Sequence, residues 1–312
     1  MKDKNFLVSV VIPVYNEEQA LPKLFPRLLP ILEKYNYELI FVDDGSKDAS
    51  VEIIKEKARS NPRIKLISFQ RNFGHQMALT CGYDNCRGDC VITLDADLQD
   101  PPELIDKMIV KWQEGYDIVY GQRLDRQTDS FFKRTTADYF YKFMNYLSDV
   151  KIPEHVADFR LLDKKVVVFL KTLKERSRFL RGLVVWPGFR STVVRYKREK
   201  RSAGTTHYSL RKMFAFAFEG IISFSTRPLQ LATYLGFISA FLGFIGIVYA
   251  VIGKFVFSHY WVTGWTALFV SIMFMGGVQL IAIGIIGEYV GKIYKEVQQR
   301  PLYLIKEKVN FD

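Results

Sequence analysis

Residues Cys90 to Glu103 read CVITLDADLQDPPE: an apolar run that stops at a carboxylate, admits a second carboxylate two residues on and then meets a Pro-Pro pair. A short apolar run bounded in this way has the length of a buried strand, and Pro101-Pro102-Glu103 is the composition that opens a helix. Working outward, the same arrangement recurs. Leu7 to Pro13 precedes Tyr15-Asn16-Glu17, Glu38 to Val42 precedes Asp43-Asp44-Gly45-Ser46, and Ile64 to Phe69 precedes Arg71-Asn72. Helical stretches separate these runs, so the expectation is an α/β fold with a doubly wound, mostly parallel sheet. In such sheets ligands gather outside the carboxyl ends of the strands. All four polar clusters are therefore expected to converge on one cleft.

Asp95 and Asp97, just past a strand, can place oxygen ligands near one divalent ion. Gln99 can add another, and a diphosphate would complete the shell. Hard oxygen donors favour Mg²⁺ or Mn²⁺. A nucleoside diphosphate is a poor leaving group until its developing negative charge is offset, which is what such an ion supplies. An isolated Asp-x-Asp is common in proteins; its position at a strand end gives this one weight. Asp43 and Asp44 can accept hydrogen bonds from a nucleobase or ribose, or can cap the Asp-Gly-Ser turn. One role for each residue is the expectation.

The chain has 312 residues and a formal net charge of +11. That length accommodates one large α/β domain and an appendage. Charge alone is compatible with nucleic acid, an anionic membrane surface or phosphate-bearing substrates. Many Lys and Arg residues fall between Arg123 and Arg227, directly before an apolar region, which favours lipid headgroups and phosphates over nucleic acid. A solvated basic face is the plainer alternative. Cys81, Cys86 and Cys90 crowd into one stretch with no paired set elsewhere, so neither a disulfide framework nor a four-ligand zinc site is expected. The charged Met1 to Asn5 leads into an apolar run, Phe6 to Val14, that is too short for a signal peptide, which places the N-terminal domain in the cytoplasm.

Leu231 to Ile252 and Trp265 to Ile286 are charge-free runs of roughly twenty residues, the length that crosses a hydrocarbon core of about 30 Å. The connection Gly253 to Gly264 carries Tyr260-Trp261, while Arg227, Lys292, Lys295 and Arg300 flank the outer ends. The positive-inside rule then puts both termini in the cytoplasm. Glycines within the two runs would let helices, or neighbouring subunits, approach closely. Leu210 to Ser225 reads as an amphipathic helix in the membrane interface, with Arg211, Lys212 and Glu219 set against Phe214, Phe216, Phe218, Ile221 and Ile222. Phe131 to Leu147 fits an interfacial helix and a core-facing one about equally. The expected organisation is a catalytic domain over 1–209, including 131–147, an interfacial helix over 210–228, two spans within 229–290 and a cytoplasmic tail over 291–312.

These residues resemble glycosyltransferase family 2, and within it the polyprenyl-phosphate glycosyltransferases related to dolichyl-phosphate mannose synthase and bacterial undecaprenyl-phosphate glucosyltransferases. The resemblance is carried by VVIPVYNEE at Val10 to Glu18, FVDDGSKD at Phe41 to Asp48, RNFGHQMAL at Arg71 to Leu79 and LDADLQDPPE at Leu94 to Glu103. YGQR at Tyr120 to Arg123, ADFRLLD at Ala157 to Asp163 and the stretch from Arg198 to Leu229 extend it over nearly the whole chain. It implies a GT-A fold in which Pro13, Tyr15, Glu17 and Asp44 line the nucleotide pocket, Asp95 contacts the nucleotide, and Asp97 and Gln99 hold the metal. Arg123 and Arg134 resemble acceptor-phosphate ligands, with Arg126 and Lys133 as basic support. Arg201 would bind the donor diphosphate or the lipid phosphate, and Asp158 resembles the carboxylate nearest the reacting centre, the candidate base. Where relatives carry Ser-Lys-Tyr, this chain has Thr206-His207-Tyr208, so a fixed charge becomes conditional on pH or is simply replaced by a tolerated polar group.

The implied reaction is inverting transfer of a hexose from a nucleotide-sugar to polyprenyl phosphate, with UDP-glucose and undecaprenyl phosphate favoured. GDP-mannose, galactose, N-acetylhexosamine and aminoarabinose donors stay open. Relatives further suggest a homotetramer, and a separate flippase is expected, because two spans would not carry a lipid-linked sugar across the bilayer. A processive polysaccharide synthase is the rival enzyme, but its Gln-x-x-Arg-Trp motif and additional spans are missing. A non-catalytic nucleotide-sugar-binding membrane protein is the rival of another class. It would be favoured by loss of the Asp pair or of the arginines, and all of these are present.

Overall fold

In the computed structural model the described residues are 5–124, 156–197, 225–256 and 264–311. The order along the chain is β1 Leu7–Val14, α1 Leu21–Leu32, β2 Asn36–Asp43, α2 Ser50–Ser60, β3 Ile64–Phe69, α3 His75–Asn85, β4 Cys90–Thr93, α4 Ile105–Gln113, β5 Ile118–Arg123 and β6 Val156–Asp163. Then come α5 Lys164–Thr172, α6 Leu180–Val185, β7 Ser191–Tyr196, α7 Arg227–Val256, α8 Trp265–Gln298 and β8 Ile305–Val309.

The strands form one sheet in the order β7-β5-β6-β4-β1-β2-β3-β8. β1 to β4 are parallel to their neighbours in that set, while β6 lies antiparallel between β4 and β5. This is the doubly wound, mostly parallel sheet that the recurring strand-turn-helix pattern implies. Alternation along β1 shows the winding directly. Val8, Val10, Ile12 and Val14 pack with α1, α2 and α4 on one face, whereas Val11 packs with α3, α5 and α6 on the other. Central strands buried on both faces read as continuous apolar runs for this reason. Helix α3 lies so close to β1 that a side chain at Gly82 would collide with Val11. All three cysteines are buried free thiols, and burial pushes Cys81 and Cys86 up to about 12.

Helices α7 and α8 are each long and apolar enough to cross a membrane. Both runs anticipated from the sequence lie inside them, and both helices continue beyond, because a helix propagates past the end of an apolar stretch at little cost once formed. Their large side chains are uncovered: Phe237, Phe241 and Phe244 on α7, and Leu280, Ile283 and Ile293 on α8, are all more than half exposed. An exposed apolar surface of this extent marks a face for contact with a membrane or another apolar partner. The Tyr289 hydroxyl of α8 donates to the Ser225 carbonyl at 2.6 Å, tying the base of α8 to the start of α7.

One boundary differs from the sequence reading. The stretch 291–312 is not a separate tail: α8 runs to Gln298, and after six residues β8 adds to the sheet antiparallel to β3. Tyr303 stacks on Phe69, its hydroxyl donates to Asp84, and Asn310 donates to the carbonyls of Ala58 and Ile64. β8 is short and carries three successive charges, Lys306, Glu307 and Lys308, the two lysines being exposed, which is how edge strands are commonly protected. The proposed interfacial helix 131–147 lies outside the described residues, as do 210–224 of the second one.

Candidate functional site

A cleft of about 800 Å³ opens at the carboxyl ends of β1, β2 and β4, and it is lined by Pro13, Tyr15, Glu17, Asp44, Asp95, Asp97, Gln99 and Asp158. Opposite them stand Arg176, Ser177, Arg178 and Arg181, from the loop between α5 and α6 and the first turn of α6. Each wall has its own construction.

On the strand side, the loops after β1 and β2 are stitched together. Asn16, with φ at 55°, donates its N–H to Ser46 and accepts from the Lys47 N–H, while the Glu17 and Glu18 N–H groups reach Ser50 and Asp48. Asparagine tolerates this left-handed backbone better than most residues. Gly45, at φ 73°, admits the backbone of Arg71, whose carbonyl carbon would lie 2.6 Å from any Cβ placed there.

Asp43 and Asp44 are held in different ways. Asp43 is buried and accepts from the Ser46 N–H at 3.1 Å and the Ser68 hydroxyl at 2.7 Å, which makes it the turn carboxylate. Asp44 faces the cleft and accepts from the N–H groups of Phe73 at 2.6 Å and Gly74 at 2.9 Å. Burial raises the Asp44 carboxyl, against the pull of those two donors and with the charge of Asp43 adding to the rise.

In the loop after β4, Leu98 has φ at 59° and is buried in the core. A bulky residue in the left-handed region is strained, and such strain persists where the surroundings hold it. Here the reversal sends Leu98 inward while its neighbours Asp97 and Gln99 both face the cleft. The Gln99 N–H donates to Asp97 Oδ1 at 3.1 Å. Burial pushes the Asp95 carboxyl up to about 6; His75 pulls against this, and the charges of Asp158, Asp100 and Asp97 add to it. Carboxylates crowded in this way are short of positive charge, and the donors are hard oxygens, so the set fits a divalent cation. Among the described residues no three His, Cys, Asp or Glu side chains form a group able to hold a metal. These side chains by themselves supply only part of a cation's shell.

Asp158, on β6, is the electrostatic centre of the other wall. Its neighbour in the register is set by β4: Thr93 lies opposite Arg160 and its hydroxyl donates to the Asp158 carbonyl. The Asp158 carboxylate, almost fully buried, receives Arg181 at 2.9 Å, has His75 Nε2 at 3.5 Å and the buried guanidinium of Arg160 at 3.6 Å. Burial opposes its charge, yet Arg181, the His75 contact and Arg160 hold its pKa well below the usual carboxylate range. Burial pulls His75 down, but Asp158 and Asp95 overcome that and raise it above the ordinary histidine value. A carboxylate so firmly paired is a poor proton acceptor and a good fixed anchor.

The loop carrying Arg176 and Arg178 is held from outside the domain. Glu296 of α8 accepts the N–H groups of Arg176 at 2.8 Å and Ser177 at 3.1 Å. Arg123 takes a different place from the other expected site residues. Its guanidinium meets buried Asp100 at 3.0 Å and the Tyr196 hydroxyl at 3.2 Å, behind the Asp95–Asp100 loop rather than along the cleft. Arg126, Lys133, Arg134, Arg201 and His207 lie outside the described residues. His75, Arg160 and Arg181 were not singled out from the sequence. The first two sit within the RNFGHQMAL and ADFRLLD stretches, which mark them as candidates; no spacing rule points to Arg181.

Residues 9–169 match the family model described as glycosyl transferase family 2. The chain is 46% identical over 96% of its length, and 93% of the other, to the uncharacterized glycosyltransferase YkcC of Bacillus subtilis. It is 46% identical, over 96% of its length and 97% of the other, to the SfII prophage-derived bactoprenol glucosyl transferase of Shigella flexneri. Among solved structures, a glucosyl-3-phosphoglycerate synthase from Mycobacterium tuberculosis with Mn²⁺, UDP-glucose and phosphoglyceric acid is similar at 18% identity, over 70% of this chain and 78% of that one, with a TM-score of 0.47.

Proposed function

The chain belongs to glycosyl transferase family 2, and we propose that it transfers glucose from UDP-glucose to the phosphate of a polyprenyl lipid, undecaprenyl phosphate, with inversion at the anomeric carbon. The observation that carries this reading is the convergence of Asp44, Asp95, Asp97, Gln99 and Asp158 on one cleft faced by arginines, in a chain with two apolar helices of membrane-spanning length. The bactoprenol glucosyl transferase named above supports the same acceptor and sugar, bactoprenol being a polyprenol.

Pro13, Tyr15, Glu17, Asp44 and Asp95 bind the nucleotide, with Asp44 accepting from base or ribose. Asp95, Asp97 and Gln99 hold Mg²⁺ or Mn²⁺ together with the donor diphosphate. The ion supplies offset of the charge that develops on the departing nucleoside diphosphate. A phosphate monoester is largely dianionic at neutral pH, so the acceptor attacks without prior loss of a proton. Asp158 therefore orients rather than deprotonates, holding Arg181 and His75 towards the reacting groups. The planar guanidinium fork binds phosphate oxygens in pairs, which suits arginine to both phosphate-bearing substrates. Arg126, Lys133 and Arg134 bind the acceptor phosphate and Arg201 the donor diphosphate or lipid phosphate. Arg123 acts from behind, bracing the metal loop through Asp100.

Two membrane spans keep both termini and the catalytic domain on the cytoplasmic side, in a homo-oligomer of up to four subunits, and a separate flippase carries the product across. Labelling of introduced cysteines from either side of a vesicle tests the orientation, and transport by the purified protein alone would overturn the flippase. The primary test is sugar transfer by the full chain in detergent, with a panel of labelled nucleotide-sugars, undecaprenyl phosphate and either metal. Metal-dependent formation of a lipid-phosphate glucose is the expected result. Another sugar on the lipid would correct the donor, and no lipid product with any donor, despite intact folding and nucleotide binding, would leave a nucleotide-sugar-binding protein.

A further inference from the structure

A second cleft, of about 870 Å³, lies between the loop after α5 and the last turns of α8. Its loop wall presents Lys174, Arg176 and Arg178; its helix wall presents Lys292, Ile293 and Val297. Two carboxylates also line it, Glu175 and Glu296, and Glu296 is engaged by the two backbone N–H groups of Arg176 and Ser177. Among the described residues that line it the cations outnumber the acids, which favours an anion. Arg176, Ser177 and Arg178 line both this cleft and the transfer cleft, which makes the two neighbours across a single turn of chain.

The helix wall adds an apolar component. Ile286, Val290, Ile293 and Val297 follow one another at intervals of four, three and four residues, which places them along one face of α8. Their exposures are 50, 56, 61 and 74%. This stripe begins within the apolar body of the helix and ends against the cationic loop. A ligand matching both parts has a phosphate at one end and a long apolar chain at the other.

We propose that the second cleft is a loading site for the long-chain lipid-phosphate acceptor, which docks its phosphate near Lys174 and Lys292 and lays its chain along the α8 stripe before the phosphate passes to the transfer cleft. This rests on the transfer reading above for the identity of the lipid. Charge complementarity and the shared residues 176–178 favour the acceptor over bulk phospholipid, whose phosphodiester would have no reason to adjoin the transfer cleft.

The test uses the full chain in nanodiscs of neutral phospholipid, with Lys174→Glu, Lys292→Gln and the double variant. The KM for a long-chain polyprenyl phosphate is expected to rise about tenfold in the double variant, as for loss of paired charge at a phosphate site. The KM for nucleotide-sugar and for a short, water-soluble prenyl phosphate, and kcat for both acceptors, should stay unchanged. A photoreactive polyprenyl phosphate, applied without nucleotide-sugar, should label residues 289–302 in the wild type and lose that labelling in the double variant. An equal effect on long and short acceptors, or no effect on either, overturns the proposal. So does labelling that phosphatidylglycerol displaces and unlabelled polyprenyl phosphate does not, which would make the cleft a site for bulk anionic lipid. Because the labelling arm needs no turnover, a protein that binds the lipid here yet transfers no sugar would refute the transfer reading and leave the site standing.

Discussion

On one side of the cleft, Tyr15, Asp44 and Asp95 stand at the ends of adjacent parallel strands whose registers are fixed over four to eight residue pairs. On the other, Arg176 and Arg178 occupy a loop held by Glu296, 120 positions from Arg176, and by the Arg178 guanidinium on the carbonyls of Leu173 and Glu175, while Arg181 is held by its ion pair with buried Asp158. The first wall is rigid because its backbone is sheet, buried on both faces. The second is only as rigid as a few side-chain contacts, some of them made by a helix of membrane-spanning length. A transferase has use for the difference: the nucleotide and metal need fixed geometry, while the acceptor side must admit a lipid and release it.

The comparison can be broken by substitution. Asp97→Ala removes a metal ligand from the sheet wall and is expected to lower transfer by more than about 100-fold, measured as lipid-linked sugar formed, with unchanged circular dichroism. If activity survives, the metal reading of the loop fails. Arg181→Ala leaves the buried Asp158 carboxylate with Arg160 and His75 alone, and should cost about 10- to 100-fold in transfer while nucleotide binding by calorimetry stays intact. Arg181→Lys should restore part of the rate, which a purely steric role for the residue would not allow.

Smaller effects separate the walls more finely. Glu296→Ala removes a charge-assisted bond to two N–H groups, about 1–3 kcal/mol of local stability, and should expose residues 173–178 to limited proteolysis with a few-fold rise in acceptor KM. Unaltered cleavage would mean that the loop is held by other contacts. Within the sheet, Glu38 is buried and accepts from the Arg87 N–H, Lys65 and Ser9. Burial opposes its charge, but these donors overcome that and lower its pKa. Its contribution to stability is therefore present above the unfolded-state value and lost as pH falls through the lower folded one. Thermal melts of the wild type should fall more steeply than those of Glu38→Gln below roughly pH 4.5, with nucleotide affinity at neutral pH unaffected.

The same contrast decides what was legible in the sequence. β1 to β4 and the cleft residues at their ends follow from local pattern, since an apolar run, a turn and a carboxylate lie within a dozen positions of one another. Arg181 and Glu296 belong to no local pattern. Their roles arise from contacts with Asp158 and with the N–H groups of residues 176 and 177, and neither loop conformation nor helix direction is encoded nearby. Arg123 sits between these cases: its motif was readable, but the buried Asp100 that engages its guanidinium stands 23 positions earlier on another loop. β8 escaped notice because a charged edge strand of five residues has too little apolar content to stand out from a tail.

The return of the chain from α8 into β8 has a mechanical consequence. Six residues join helix to strand, and six residues reach at most about 20 Å. With Glu296 gripping the loop at 176–177, α8 is fastened to the sheet domain at two separate points rather than hung from it by one cord. A body on one cord can swing; a body bracketed twice keeps its attitude. Tilting or turning α8 would thus pull on the edge of the sheet and on the arginine loop together, so a force on that helix has a lever on the mouth of the cleft.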